Sequence, residues 1–335
     1  MVATIVSGSL KTIRWGLAAT GLVALILAGL VGWPLEHPPE LTSISDARKS
    51  VDFSGLPELE RFQGRDGTAL AYRHYPARSA ATDRIAVVVH GSSGSSGTTI
   101  HALSSALALR GVQTYAVDIR GHGASGTRGD IGYVGQLEDD LAELVAVIRQ
   151  ANPTAPLTLI GHSSGGGFAL RVAGSKIQNL FARTVLLAPY LGYDAPTTRP
   201  GTGGWANADV PRIVGLILLH KLGINCCDAL PVVAFAVPPH SEGRLVASYT
   251  ERLRSNFGTH ADFRTDLAAA TRPITVFSGT DDELMVADKY DTAVRSVVPS
   301  AVVRLVKGVN HMGIVSDPAA VSAIADDVAS AGAGT

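Results

Sequence analysis

Cysteine is almost missing from this chain: Cys226 and Cys227 are the two in 335 residues, and they are neighbours. A bridge between adjacent cysteines requires strained local geometry and neither has a distant partner, so a disulfide framework is excluded. Both are expected to be buried or half-buried thiols without chemistry. Their scarcity leaves the compartment open, because an exported protein need not carry disulfides. An excess of charge of either sign is also missing. Lys and Arg total 28 against 29 for Asp and Glu, which removes the electrostatic case for nucleic acid or another polyanion and points to a small substrate. Charged residues make up only 17% of the chain and hydrophobic ones 46%, too apolar for disorder beyond the ends. No internal repeat occurs. The run Gly91-Ser-Ser-Gly-Ser-Ser-Gly97 lacks both the dinucleotide spacing and a P-loop lysine, so it is no phosphate cradle.

What the chain has first is a long uncharged run. Trp15 to Trp33 carries no charge and, as a helix, would span about 28 Å, close to the thickness of bilayer hydrocarbon. Lys11 and Arg14 precede it, and the first charges after it are Glu36 and Glu40. The positive-inside rule then places residues 1–14 in the cytoplasm and the rest of the chain outside, periplasmic in a bacterium. Tryptophans at both ends suit the two interfaces. This reads as a transmembrane signal anchor over 15–33. Cleavage as a signal peptide, giving a secreted protein, is the alternative, although no Ala-x-Ala site follows. Residues 34–55, with Pro34, Pro38, Pro39 and the polar run Thr42–Ser50, read as a linker, and the folded domain as 56–335.

The stretch around Asp66-Gly67 predicts an antiparallel edge hairpin. Beyond it, apolar strands alternate with helices: strands at 85–90, 113–118, 156–163 and 184–189, with helices at about 98–109, 136–149 and from Ser164. Such alternation marks an α/β fold, a mostly parallel central sheet with helices on both faces. It breaks between about 190 and 265, where VPRIVGLILLHKLGI and LPVVAFAVPP suggest helices of an inserted cap. It resumes with strands at 274–279 and 301–308, a helix near 287–296 and a terminal helix at about 318–329.

Gly161-His162-Ser163-Ser164-Gly165 is a G-x-S-x-G pentapeptide lying after a predicted strand and before a predicted helix, the context of a nucleophile elbow. Its glycines permit the sharp turn that lifts the Ser163 hydroxyl clear of the sheet. A serine hydroxyl is a weak nucleophile until a base takes its proton. Of ten histidines only His311 follows the last strand, where the order nucleophile, acid, base would place it. The acid belongs after the preceding strand, where Asp281 and Asp282 compete. Its carboxylate would fix the tautomer of His311 and stabilise the imidazolium formed during attack. Oxyanion donors are expected at the Ser164 amide and, from the His90-Gly91-Ser92 loop, at the Ser92 amide. His90, His122 and His162 read as structural histidines.

With Asp118-Ile-Arg-Gly-His-Gly123, Gly279-Thr-Asp-Asp282 and His311, these motifs resemble the α/β-hydrolase superfamily over about residues 58–330, and within it the lysophospholipase and monoacylglycerol lipase group, also grouped with serine aminopeptidases of the S33 type. The resemblance implies an α/β-hydrolase fold with a cap after Pro189, Ser163 as nucleophile, Asp282 rather than Asp281 as acid, and His311 as base. The chain departs from monoacylglycerol lipases in having Ser-Ser-Gly where a Glu-His-Ser run commonly follows the His-Gly pair. Hydrolysis of a carboxylic ester with an apolar acyl or alkyl part is therefore expected, without metal or organic cofactor. Two rivals stand beside it: an aminopeptidase holding a substrate ammonium on Asp194, Asp228 or Glu242, and a membrane-tethered binding protein without turnover.

Overall fold

The computed structural model describes residues 2–78, 83–238 and 245–330. Eight strands form the central sheet in the order β1-β2-β4-β3-β5-β6-β10-β11. The expected hairpin is β1 (Leu59–Gln63) and β2 (Ala69–Tyr75), and Gly67, at a φ of 80°, makes its turn. It adds antiparallel to β4 (Gln113–Asp118). From there the sheet is parallel through β3 (Ile85–Val89), β5 (Leu157–His162), β6 (Arg183–Leu187), β10 (Ile274–Gly279) and β11 (Val302–Val306). β3, β5 and β10 are buried along their whole length, which explains their unbroken apolar sequences.

Helices cover both faces, so the core divides into two clusters. One face packs β-strand residues such as Val87 and Leu159 against Leu137, Leu141 and Leu144 of α4 (Gln136–Ala151) and Phe168 of α5 (Ser164–Ala173). The other packs Val88, Ile160 and Phe277 against Leu103 and Leu107 of α3 (Ile100–Leu109) and Ile324 of α10 (Pro318–Ser330). The helix expected at 287–296 divides into a 3-10 turn at Ala287–Lys289 and α9 (Tyr290–Arg295). The crossovers carry the carboxyl ends of the parallel strands to one rim of the sheet, where ligands bind in open α/β folds.

The inserted cap is not purely helical. VPRIVGLILLHKLGI does form α6 (Val210–Lys221), but within LPVVAFAVPP the chain is extended as β8 (Pro231–Phe235) between β7 (Ala206–Ala208) and β9 (Ser248–Thr250). Prolines at 231 and 238 leave no room for a helix of useful length, and paired β-branched Val232 and Val233 suit an extended backbone. α7 (Glu251–Asn256) and α8 (Phe263–Ala269) lead back to the sheet. Cys226 and Cys227 are exposed in the loop after α6, not buried as expected.

At the other end of the chain, α1 (Val2–Val31) packs its last turn on α6: a side chain at Gly215 would press on Leu30 and Val31, and Arg212 donates to the Val31 and Trp33 carbonyls. Among the described residues no helix is long and apolar enough to cross a membrane. Within the segment read as a linker, Thr42–Lys49 forms α2, whose polar composition concealed two inward residues, Leu41 and Ile44, packed on the core.

Candidate active site

The turn from β5 into α5 imposes the geometry of the site. Ser163 sits at φ 54° and ψ −120°, a conformation that a non-glycine residue rarely adopts. The turn is tight enough that a side chain at Gly161 would collide with the Gly165 carbonyl, and one at Gly165 with the His90 carbonyl. Both flanking glycines are therefore required by contact. The Ser163 carbonyl accepts from the Gly167 and Tyr190 amides, which holds the turn from behind.

Asp282 and His311 arrive from the loops after β10 and β11. His311 Nδ1 lies 2.9 Å from Asp282 Oδ2, and both side chains are buried. The other carboxylate oxygen accepts from the Leu284 and Met285 amides, at 2.8 and 2.7 Å. Burial pulls the Asp282 carboxyl upward, but the nearby His311 and these hydrogen bonds outweigh it and hold it below the ordinary carboxylate range. Asp281 is exposed, and its side chain accepts from the neighbouring Thr280 Oγ1. Glu283, which sequence reasoning passed over, accepts the His311 backbone amide at 2.9 Å and ties the two loops together.

Ser92 and Ser164 both border the site. The Ser164 amide begins α5, where a helix leaves its first N–H groups without internal partners and presents its positive dipole end. The loop carrying Ser92 is stapled to the cap. The Ser93 amide donates to Tyr249 Oη at 2.8 Å, Ser93 Oγ donates to the Val246 carbonyl at 2.6 Å, and Trp205 Nε1 donates to Ser92 Oγ at 2.8 Å. Asp118, seen in the sequence only as part of a motif, takes the Ser96 and Ala124 amides and so braces the same loop from β4. Trp205 and Tyr249 left no sequence signal, since they act across the cap.

The three histidines read as structural are buried. His90 Nε2 accepts the Ile119 amide, His122 pairs with Tyr249 Oη at 2.6 Å, and His162 Nε2 meets the His311 carbonyl at 3.1 Å. Burial lowers all three, with His162 brought down to about 3, His311 adding to the effect, and they stay neutral at pH 7.

Two cavities meet at Ser163. One, of about 600 Å³, is bordered by His162, His311 and Met312, the Ser92 loop, and Glu40, Ile44, Ser45 and Lys49 from the amino-terminal side. The other, of about 530 Å³, runs under the cap past Ser164, Tyr190, Val210, Ile213, Phe235, Phe257 and Phe263. Trp205 and Leu284 border both. Of the carboxylates considered for holding an ammonium, Asp194 lies on the second cavity but Arg254 and Arg264 line it too. Asp228 stands 2.9 Å from His220, and Glu242 lies outside the described residues. Among the described residues no cluster of His, Cys, Asp and Glu suited to a metal ion is found.

Comparison with known proteins gives the same picture. The family described as serine aminopeptidase, S33, matches residues 80–318. A monoacylglycerol lipase of Mycolicibacterium smegmatis is 26% identical over 209 residues, covering 60% of this chain and 71% of that one. Among solved structures, a soluble variant of the Saccharomyces cerevisiae monoglyceride lipase superposes with a TM-score of 0.62 at 16% identity, over 83% of this chain and 97% of that one. The Paleococcus ferrophilus monoacylglycerol lipase gives 0.58 at 18% identity, over 78% and 98%. The chain belongs to the serine aminopeptidase S33 family of α/β-hydrolases and is a serine hydrolase of the esterase and lipase-like kind.

Proposed function

We propose that the protein hydrolyses carboxylic esters with an apolar acyl part through an acyl-enzyme, with Ser163 as nucleophile, His311 as base, Asp282 as acid, and the Ser92 and Ser164 amides as oxyanion donors. The observation that carries this reading is the strained Ser163 elbow opening on two cavities, with the buried His311–Asp282 pair beside one of them.

His311 Nε2 takes the Ser163 proton as Oγ attacks the ester carbonyl. The two amides receive the charge that builds on the carbonyl oxygen, and Asp282 stabilises the imidazolium. Collapse breaks the carbon–oxygen bond to the alcohol, which leaves with the proton from His311. Water, deprotonated by His311, then cleaves the acyl-enzyme. The departing alcohol must stand within reach of His311, so it belongs in the cavity that His311 borders. The acyl chain then lies in the aromatic and aliphatic cavity under the cap, beside Ser164, where apolar walls favour such a ligand.

The proposal includes an amino-terminal anchor with the enzyme on the extracytoplasmic side. In support, Trp15, Leu17, Leu22 and Leu25 of α1 are all at least 60% exposed, an apolar surface that water does not favour. A fluorophosphonate probe should label the wild type in the membrane fraction and not Ser163→Ala, and a panel of p-nitrophenyl esters should show a preference for longer acyl chains. Folded wild type that resists labelling would remove the reading, and equal turnover of short and long chains would remove the acyl cavity assignment.

A further inference from the structure

The first cavity has a wall that comes from outside the sheet and the cap. Glu40, Ile44, Ser45 and Lys49 border it together with Ser163 and His311, and all four belong to α2 or its entry. This is the stretch whose composition reads as a linker. It is held down along its length: Asn207 Nδ2 donates to the Glu36 carbonyl at 2.9 Å, and the Leu41 amide donates to the Ala236 carbonyl at 3.2 Å. Leu41 and Ile44 pack on the core behind it.

We propose that α2 is the alcohol-side wall of the substrate site and selects the leaving alcohol by its size. The assignment rests on the ester-hydrolysis reading above. Ile44 supplies the apolar contact that sets the width. The polar rim is matched within itself: Ser45 Oγ donates to Glu40 Oε1 at 2.5 Å, and Lys49 Nζ bonds Asp46 Oδ1 at 2.7 Å. Lys49 is the only Lys or Arg among the described residues bordering this cavity, and its charge is already met by Asp46. Hydroxyls of the leaving alcohol find Ser92 Oγ, which accepts from Trp205 and keeps its own proton to donate.

The test uses the full chain in detergent micelles and two esters of one acyl chain, the methyl and the glyceryl ester. The methyl ester leaves the alcohol side nearly empty, so it reports on the catalytic groups alone. In Ile44→Trp the ratio of glyceryl to methyl kcat/KM should fall about tenfold, the scale of a pocket change of a methylene or more, while methyl ester turnover and fluorophosphonate labelling hold. In Ile44→Ala the ratio should hold or rise. If the glyceryl to methyl ratio stays constant in both Ile44 variants while the enzyme hydrolyses both esters, the wall is not α2. Absence of labelling and of all ester turnover in wild type defeats the underlying reading and the wall with it.

Discussion

Asp281 and Asp282 are neighbours in sequence with opposite surroundings. Asp282 is sealed against His311 and two backbone amides, whereas Asp281 faces solvent. In the proposed mechanism, replacing Asp282 by Asn keeps the shape but removes the charge that would stabilise the imidazolium and fix its tautomer. Asp282→Asn should therefore lower kcat by roughly 10³ to 10⁴, with little change in substrate binding. Asp281→Asn should stay within about twofold, the range of an exposed substitution away from the site. Steady-state kinetics of the two variants on one p-nitrophenyl ester decides between them, and equal losses would reverse the assignment. At this scale the positions of Ser163 at the turn and of His311 after the last strand were legible, because an elbow motif and a place after the last strand are local facts. The sequence could not choose between the aspartates from residue type and spacing, since what separates them is the course of the next turn, where the Leu284 and Met285 amides face back.

The elements show where pattern reading succeeds and where it stops. β3, β5 and β10 are unbroken apolar runs because both faces of the sheet are covered, and that signal survives in one sequence. In LPVVAFAVPP the apolar run is too short for periodicity to separate helix from strand, and only its pairing with β7 and β9 made it a strand. α2 was hidden for the opposite reason: two inward residues, Leu41 and Ile44, suffice to dock a single polar helix. The staple between cap and oxyanion loop likewise joins residues 156 apart, Ser93 and Tyr249. Tyr249→Phe would strand the buried Ser93 amide and the His122 ring, at a cost of about 1–3 kcal/mol for the unpaired group. Freed from its anchor, the Ser92 loop should present its amide poorly, and kcat should fall by about 10 to 10². Urea unfolding together with ester kinetics checks both effects. Wild-type stability and kcat in this variant would show that the cap does not hold the loop.

Across the whole molecule, the rim of the sheet that carries the site is also where neutral histidines are concentrated. His90, His122 and His162 are all buried within the loops that shape the active site, and burial depresses each of them in the folded state, His162 to about 3. In the unfolded chain each regains an ordinary value near 6.5. Between these limits the unfolded state binds more protons, so the stability they contribute is fully present above pH about 6.5 and declines as pH falls, for His162 until about 3. Each can contribute a slope of up to about 1.4 kcal/mol per pH unit in that window. Asp282 adds a later loss in the same direction: its lowered carboxyl stabilises the fold above its unfolded value near 3.8, and that contribution fades as pH drops through the folded value. Acid unfolding should thus begin two to three units above the range where carboxylates titrate, and it should begin at the active-site rim. Urea midpoints from pH 8 to pH 5 should fall steadily below about 6.5. His162→Asn should bind nearly one proton fewer on unfolding at about pH 5.5, which flattens the slope without abolishing it, since His90 and His122 remain. A midpoint independent of pH over this interval would mean that these histidines reach solvent in the folded protein, and that the loops forming the site are open rather than packed.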